Sequence, residues 1–275
     1  MLLPQGARPP VNLRPAGRFF VFAAFAVVTG VPNLALPCAG FALPALCYNG
    51  HAMNPSSTQS FDETLWAARC FAFLSPRLVD ADPAHDMDHV RRVADMARAL
   101  TVAEGARLEI VLPAAWLHDC VLLPKTSPQR ARASTLAAEA AGEFLRLSGY
   151  PPSLIPAVEH AIVAHSFSAG IAPRTLEAKV VQDADRLDAI GAIGIARCLL
   201  LGGAQRKPLF DSAQPFPDQR PPDDTSNVLD HFYVKLLRLA ELMQTASARA
   251  EAQQRTQFMQ QFLAQLRREI TPPAP

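Results

Sequence analysis

The stretch Pro113-Ala114-Ala115-Trp116-Leu117-His118-Asp119-Cys120 constrains this chain more than any other. An apolar run carries an imidazole and a carboxylate, side by side, toward what must be a protein interior. An ionised carboxylate is costly to bury unless a cation or a full set of hydrogen bonds compensates it. A bound metal ion meets that requirement. An isolated His-Asp pair more often means a satisfied core histidine beside an aspartate that ends a helix. The rest of the chain decides between the two.

The apolar periodicity around that stretch is helical. Ser60-Phe61-Asp62-Glu63 has the form of a capping box ahead of Leu65, Trp66, Ala68, Cys70 and Phe71. Asp82-Pro83 can open a second helix with proline in its first position. Val90, Val93, Ala94, Ala97 and Leu100 give that helix its stripe, and Glu104-Gly105 ends it. A third helix is expected over 107–119, where Pro113 must kink or restart it because proline supplies no N–H. A loop over 122–132 carries Lys125, Arg130 and Arg132. Ser134 is then placed to cap an Ala-rich helix that stops at Gly149-Tyr150-Pro151-Pro152, and Ser153 opens the next. Thr175 to about Leu201 reads as one long helix interrupted by Gly191 and Gly194. Residues 202–227 are an irregular Pro-rich insert, of a length usually found in lids or disordered segments. Helical spacing returns at Leu229, Phe232, Tyr233, Leu236, Leu237 and Leu239, and a polar helix over about 246–269 closes the chain. No alternating strand pattern of useful length and no internal repeat interrupts this, so the expected class is all-α.

At 275 residues the chain has room for an ample core, but its first fifty residues stand apart. Residues 1–52 hold Arg8, Arg14 and Arg18 and no acidic residue. Taking those three from 26 leaves 23 basic against 25 acidic residues in the remainder. With a net charge of +1 there is no basic field of the kind that draws nucleic acid. Phe19 to Val28 gives an apolar core behind a basic segment, the outline of a signal peptide. At about ten residues it is too short for the roughly 20 that cross a bilayer, so membrane association is not expected. The composition changes at Met53, and three readings stand for 1–52: a translation start at Met53, a signal or anchor, or a native extension. In each of them the fold is carried by 53–275. Five widely spaced cysteines without a CxxC argue against a disulfide scaffold and for a reducing compartment, hence a cytoplasmic location.

Five of the seven histidines fall between 85 and 165. His85 and His89 are four apart and share a helix face. His118-Asp119 follow, then His160 and His165, then Asp183, Asp185 and Asp188. Imidazole and carboxylate without thiolate suit Mn²⁺, Mg²⁺ or Fe²⁺ better than a structural zinc. Spread over four helices, the set fits a site built in the core of a bundle.

The ordered contexts Asp88-His89-Val90-Arg91-Arg92-Val93, Trp116-Leu117-His118-Asp119 and Asp183-Ala184-Asp185-Arg186-Leu187-Asp188 resemble the HD-domain superfamily of metal-dependent phosphohydrolases. Residues 184–197, Ala-Asp-Arg-Leu-Asp-Ala-Ile-Gly-Ala-Ile-Gly-Ile-Ala-Arg, are similar to the signature of a branch of small bacterial hydrolases within it. The likeness takes in Leu123-Pro124-Lys125, Glu159-His160 through His165-Ser166-Phe167, and Asp230 through Lys235, and so covers 60–265. It implies an HD-domain helical bundle with the metal site in its core. His89, His118, Asp119 and Asp185 would hold one divalent ion, Mn²⁺ or Mg²⁺ before Fe²⁺, with a second ion undecided. His85-Asp86 also spells the two-letter motif, but the first ligand matches His89. The implied substrates are phosphate esters or anhydrides, nucleotides foremost.

In such a site Asp119 could bind the ion and also orient the attacking water. Lys125 and Arg186 are candidates to meet phosphate oxygens, and His165 could donate to the leaving oxygen. His160 and His165 would face the phosphate or hold a second ion. Asp183 and Asp188 either touch substrate or metal, or serve hydrogen bonding and helix-end packing. Two rivals remain: a di-iron oxygenase using the extra histidines, and a non-catalytic module that binds metal and nucleotide. Residues 202–227 are expected to set specificity. A homo-oligomer is compatible with the sequence.

Overall fold

A computed structural model describes residues 61–79, 81–82, 84–123, 127–166 and 169–270. These belong to one compact unit, Thr58–Pro275. The expectations placed on 1–52, Ser60, Pro83 and Lys125 fall outside the described residues. Among the described residues the structure is helical and contains no strand. The helices are α1 (Glu63–Leu74), α2 (Met87–Glu104), α3 (Leu108–Leu117), α4 (Ala133–Leu147), α5 (Ile155–His165), α6 (Leu176–Asp188), α7 (Gly191–Ala204), α8 (Asp230–Val234) and α9 (Ala246–Ile270). Short 3₁₀ turns lie at Arg130–Arg132 and Leu236–Leu242.

Helix α3 is the axis of the bundle, packed by α1, α2, α5 and α6. Val111, Ala114, Ala115 and Leu117 are fully buried, and the small alanines let neighbouring helices approach closely. Pro113 lies inside α3 without ending it. The bond it cannot make would run to the carbonyl of Glu109, four residues back. Tyr150, buried, donates its hydroxyl to that same carbonyl. The acceptor orphaned by proline is thereby satisfied from another helix end.

Several helix starts differ from their sequence readings, two of them because another side chain caps instead. Asp62 caps α1 by accepting from the Leu65 N–H at 2.9 Å. Asp86, not Asp82, caps α2, accepting from the His89 N–H at 2.8 Å. Asp82 instead closes a turn onto the Ala84 N–H. Ser134 lies within the first turn of α4 and makes no cap; its hydroxyl is buried without a hydrogen-bond partner. The ends at Gly105 and Gly149 lie where expected, both with positive φ.

The long helix expected from Thr175 is two helices, α6 and α7, meeting at a 64° bend. Gly191 turns the chain with φ +76°. A Cβ on Gly194 would stand 2.3 Å from the Ala189 carbonyl oxygen, so only glycine lets α7 lie this close to the bend. The bend returns Arg197 to Asp188, nine residues earlier.

Residues 205–227 contain no helix or strand and are held at many points. The Val228 and Leu229 N–H groups donate to the Pro208 and Leu209 carbonyls. Arg220 grips the buried Asp230 with two hydrogen bonds, at 2.5 and 2.9 Å. Phe216 is buried under the Arg267 guanidinium.

Candidate metal centre

Four helix ends deliver the site. Helix α2 brings His89 from its first turn, α3 ends at His118-Asp119, α5 ends at His165, and α6 supplies Asp185 and Asp188 from its last turn. At the end of a helix the last carbonyls have no intrahelical partner. His118 Nδ1–H donates to the Ala115 carbonyl at 2.8 Å, and His165 Nδ1–H to the Ile162 carbonyl at 2.6 Å. A carbonyl only accepts, so both rings carry a proton on Nδ1, and Nε2 is the nitrogen left to take a metal ion or a second proton. His89 is fixed the same way, its Nδ1–H donating to Asp188 Oδ2 at 2.7 Å.

The three Nε2 atoms converge with the carboxylates. His89 Nε2 lies 3.3 Å from His118 Nε2, 3.6 Å from Asp185 Oδ1 and 3.9 Å from Asp119 Oδ2. His118 Nε2 lies 3.5 Å from Asp119 Oδ2 and 3.9 Å from Asp185 Oδ1. The other oxygen of Asp119 faces His165 Nε2 at 3.6 Å. Two overlapping ligand groups result: His89, His118 and Asp185, and His118, Asp119 and His165. Two imidazole lone pairs at 3.3 Å repel unless a cation sits between them, a proton or a metal ion. The donor set therefore fits a divalent ion. The His89 and His118 side chains have no exposure, whereas Asp119 and Asp185 are 23% and 28% exposed. The carboxylates mark the open side.

The electrostatics follow from that crowding. Burial lowers the pKa of His89 despite its bond to Asp188. Burial also works to lower His118, but the adjoining Asp119 and Asp185 charges outweigh it and raise His118 to about 9. A single proton held on His118 and offered to His89 satisfies both rings in the metal-free molecule. Burial opposes ionisation of Asp119, yet His118 and His165 hold its carboxyl well below the usual range. Asp185 is lowered by the same imidazoles against the same burial.

Asp188 is a buried junction and does not face the cleft. Besides His89 it accepts from Arg92 Nε at 2.7 Å, Arg92 NH2 at 3.1 Å and Arg197 NH1 at 2.7 Å. These partners, led by His89, override burial and keep it ionised far below the usual range. It orients the His89 ring, as the outer carboxylate of a histidine–metal site does. Of the two readings of Asp188, these bonds favour hydrogen bonding over a substrate contact. Arg92 and Arg197 were missed in the sequence. Arg92 was findable, lying three residues from His89 on the same helix face; Arg197 was hidden by the α6–α7 bend.

The remaining candidates lie elsewhere. His160 Nε2 accepts the Arg174 N–H at 3.1 Å, so its ligand nitrogen is taken and it does not join His165 as a pair. Arg186 NH1 donates to the Leu242 carbonyl at 2.6 Å, tying α6 to the following 3₁₀ turn. Asp183 accepts from the Gln244 and Thr245 N–H groups and the Thr245 hydroxyl, which caps α9. His85 is held by Asp82 at 2.9 Å, with its ring edge-on to His89.

The sequence matches the HD domain family over residues 87–190, a span that includes every member of both ligand groups. YpgQ of Bacillus subtilis is 38% identical over 197 residues, covering 70% of this chain and 88% of its own. The structure of Bacillus subtilis YpgQ in complex with ADP is similar, with a TM-score of 0.58 and 34% identity, covering 75% of this chain and 98% of that one. A Bacillus thuringiensis protein described as an HD-superfamily hydrolase has a TM-score of 0.60 and 33% identity, covering 77% of this chain and 100% of that one.

Proposed function

This chain belongs to the HD-domain family, and on that premise we propose that it is a divalent-metal-dependent phosphohydrolase acting on a phosphate ester or anhydride of a nucleotide. The observation that carries the reading is the pair of Nε2 atoms 3.3 Å apart, which need a cation between them, flanked by Asp119 and Asp185. His89, His118, Asp119 and Asp185 are the proposed ligands, and the oxygen and nitrogen donors without thiolate favour Mn²⁺ or Mg²⁺. Bound there, the ion supplies Lewis-acid polarisation of a phosphoryl oxygen and lowers the pKa of a water.

The side chains do the rest. Asp119 has one oxygen toward the two buried imidazoles and the other toward His165, so it can hold the ion and orient a water with the same group. His165, fixed through Nδ1 and opening Nε2 toward Asp119, can pass a proton to the departing oxygen. Asp188 keeps His89 in the ligating tautomer and so acts by positioning. Lys125 is proposed to contact a phosphate oxygen. For Arg186, the bond to Leu242 supports a structural role over a substrate contact. The ADP bound to the similar YpgQ supports a nucleotide substrate. A cytoplasmic location is in keeping with the free thiols of Cys70, Cys120 and Cys198.

The test is to purify the protein, strip it with chelator, and assay phosphate and pyrophosphate release from a nucleotide panel. Mn²⁺, Mg²⁺, Fe²⁺ and Zn²⁺ are each restored, with Asp119→Ala as control. Metal-dependent release that disappears in the variant establishes the hydrolase. Silence across the panel with one metal bound per chain would point to the binding module instead, and two bound irons to the oxygenase.

A further inference from the structure

Helix α7 is apolar on both of its sides, and only the inner one is covered. That side packs on α6 and α9, with Gly202 so close to Val228 that a Cβ would stand 2.3 Å from it. Arg197, the only charged residue of the helix, is bonded to Asp188 and to the Ala84 carbonyl. The outward side is Ala192, Ile193, Ala196, Leu199, Leu200 and Gly203, all exposed. At roughly 100° per residue these fall within about 120° of arc, a stripe as wide as the one by which a helix normally faces a core. No polar side chain interrupts it. The first exposed polar residues, Gln205 and Arg206, lie past the end of the helix.

Charge, shape and area select what covers this stripe. A charged partner gains nothing from a face that has neither a charge nor a hydrogen-bonding side chain. A helix lying on a membrane carries lysines and arginines beside its apolar face, and the one arginine of α7 is turned inward. A second copy of the helix fits. With two copies antiparallel about a two-fold axis at Cys198, Leu200 of each comes level with Ala196 of the other, and Ile193 with Gly203. Large then meets small in both directions, as a self-complementary interface requires. The same register brings the exposed Arg206 level with the N-terminal end of the other copy's α7. There Glu251 of α9 is bonded to Arg255, whose stem lies against Gly191, so cation and carboxylate are complementary at both ends. The helix has 14 residues and is about 21 Å long, and half the surface of a cylinder of that length and roughly 12 Å across is about 400 Å². Two such faces bury about 800 Å², below the roughly 1,200–2,000 Å² of a stable specific interface. The pairing is therefore reversible.

We propose that the outward face of α7 is a self-association surface, through which two copies of this chain pair antiparallel as a reversible dimer. The surface lies outside the ligand set, and the proposal stands apart from the hydrolase reading.

The experiment is sedimentation equilibrium of the full-length protein over about 1–100 µM. It compares wild type with Leu200→Glu, Leu200→Lys, Ile193→Glu and, on α4, Leu147→Glu. The wild-type mass should rise with concentration from 29.8 kDa toward twice that value. Leu200→Glu and Leu200→Lys should each stay at the monomer mass. An equimolar mixture of the two should recover the dimer, because in the antiparallel register the two residues 200 lie about 6 Å apart along the helix axis. Leu147→Glu changes an exposed apolar residue elsewhere and should dimerise like wild type. Far-ultraviolet circular dichroism reports that each variant is folded; if Leu200→Glu is not, Ile193→Glu decides by the same comparison. A wild type that stays monomeric overturns the proposal, in favour of a lipid surface if it sediments with phosphatidylcholine vesicles. A dimer that persists in Leu200→Glu, or that Leu147→Glu breaks equally, also overturns it, because the pairing then uses another surface. A mixture that stays monomeric overturns the antiparallel pairing.

Discussion

Replacing Asp188 should weaken both the fold and the metal centre, in graded steps. The carboxylate accepts four hydrogen bonds, and all four partners are donors: His89 Nδ1, Arg92 Nε and NH2, and Arg197 NH1. Three of the bonds converge on Oδ2, and only the Arg92 Nε bond falls on Oδ1. An asparagine can place its single acceptor at the Oδ2 position, but its amide then confronts the Arg92 donor. It keeps most of the geometry and loses the charge. Alanine loses everything and leaves two guanidinium groups beside the unpaired His89 ring. Removing one partner of a buried ion pair costs about 3–5 kcal/mol. Arg92, 36% exposed, regains water and adds little, whereas Arg197 at 14% and His89 at 0% do not. We therefore expect roughly 3 kcal/mol for Asp188→Asn and about 5 kcal/mol for Asp188→Ala, read by urea unfolding of the metal-free protein. Loss of an outer carboxylate lowers metal affinity by about 10–100-fold, so Asn should sit near the lower value and Ala near the upper. Calorimetric Mn²⁺ titration measures it. An alanine variant that binds Mn²⁺ like wild type would refute the orienting role.

Three further outcomes follow from other parts of the structure. Asp183→Ala removes the acceptor for Gln244, Thr245 and its hydroxyl and should cost about 2 kcal/mol while leaving Mn²⁺ affinity unchanged; a change in affinity would place Asp183 in the metal centre. Tyr150→Phe restores the orphan at the Glu109 carbonyl that Pro113 creates and should cost about 1–3 kcal/mol in thermal or urea unfolding; a neutral result would mean that water replaces the hydroxyl. The metal-free protein should lose stability as pH rises, because His118 is raised from 6.5 to about 9. Its contribution is fully present below pH 6.5 and lost through about pH 9, up to roughly 3 kcal/mol. Mn²⁺ requires the neutral ring and should abolish that loss. Thermal melts from pH 6.5 to 9.5 with and without Mn²⁺ test this, and a flat metal-free profile would sink the assigned cause.

What was legible in the sequence was whatever repeats at helical spacing or sits in a short ordered motif. The stripe on α2, the apolar run through Ala114 and Leu117, and the glycine stops at 105 and 149 are local facts, and the structure keeps them. The convergence of His89, His118, Asp119 and Asp185 was legible because each lies at or near a helix end, flanked by residues characteristic of one family. The helix starts were misread where two acceptors compete within a few residues, as Asp82 and Asp86 do, since a pattern does not say which carboxylate reaches the N–H. The single helix expected from Thr175 failed for a sharper reason. Gly191 and Gly194 read as tolerated interruptions, but the first has a positive φ and the second lies against the Ala189 carbonyl, and together they turn the chain by 64°. That turn sets Arg197 on Asp188, and Asp188 in turn holds a ring 99 positions away. No local pattern carries such a contact. The carboxylate's chemistry is decided by three helices meeting, and for the same reason Asp188 is the most informative residue to change.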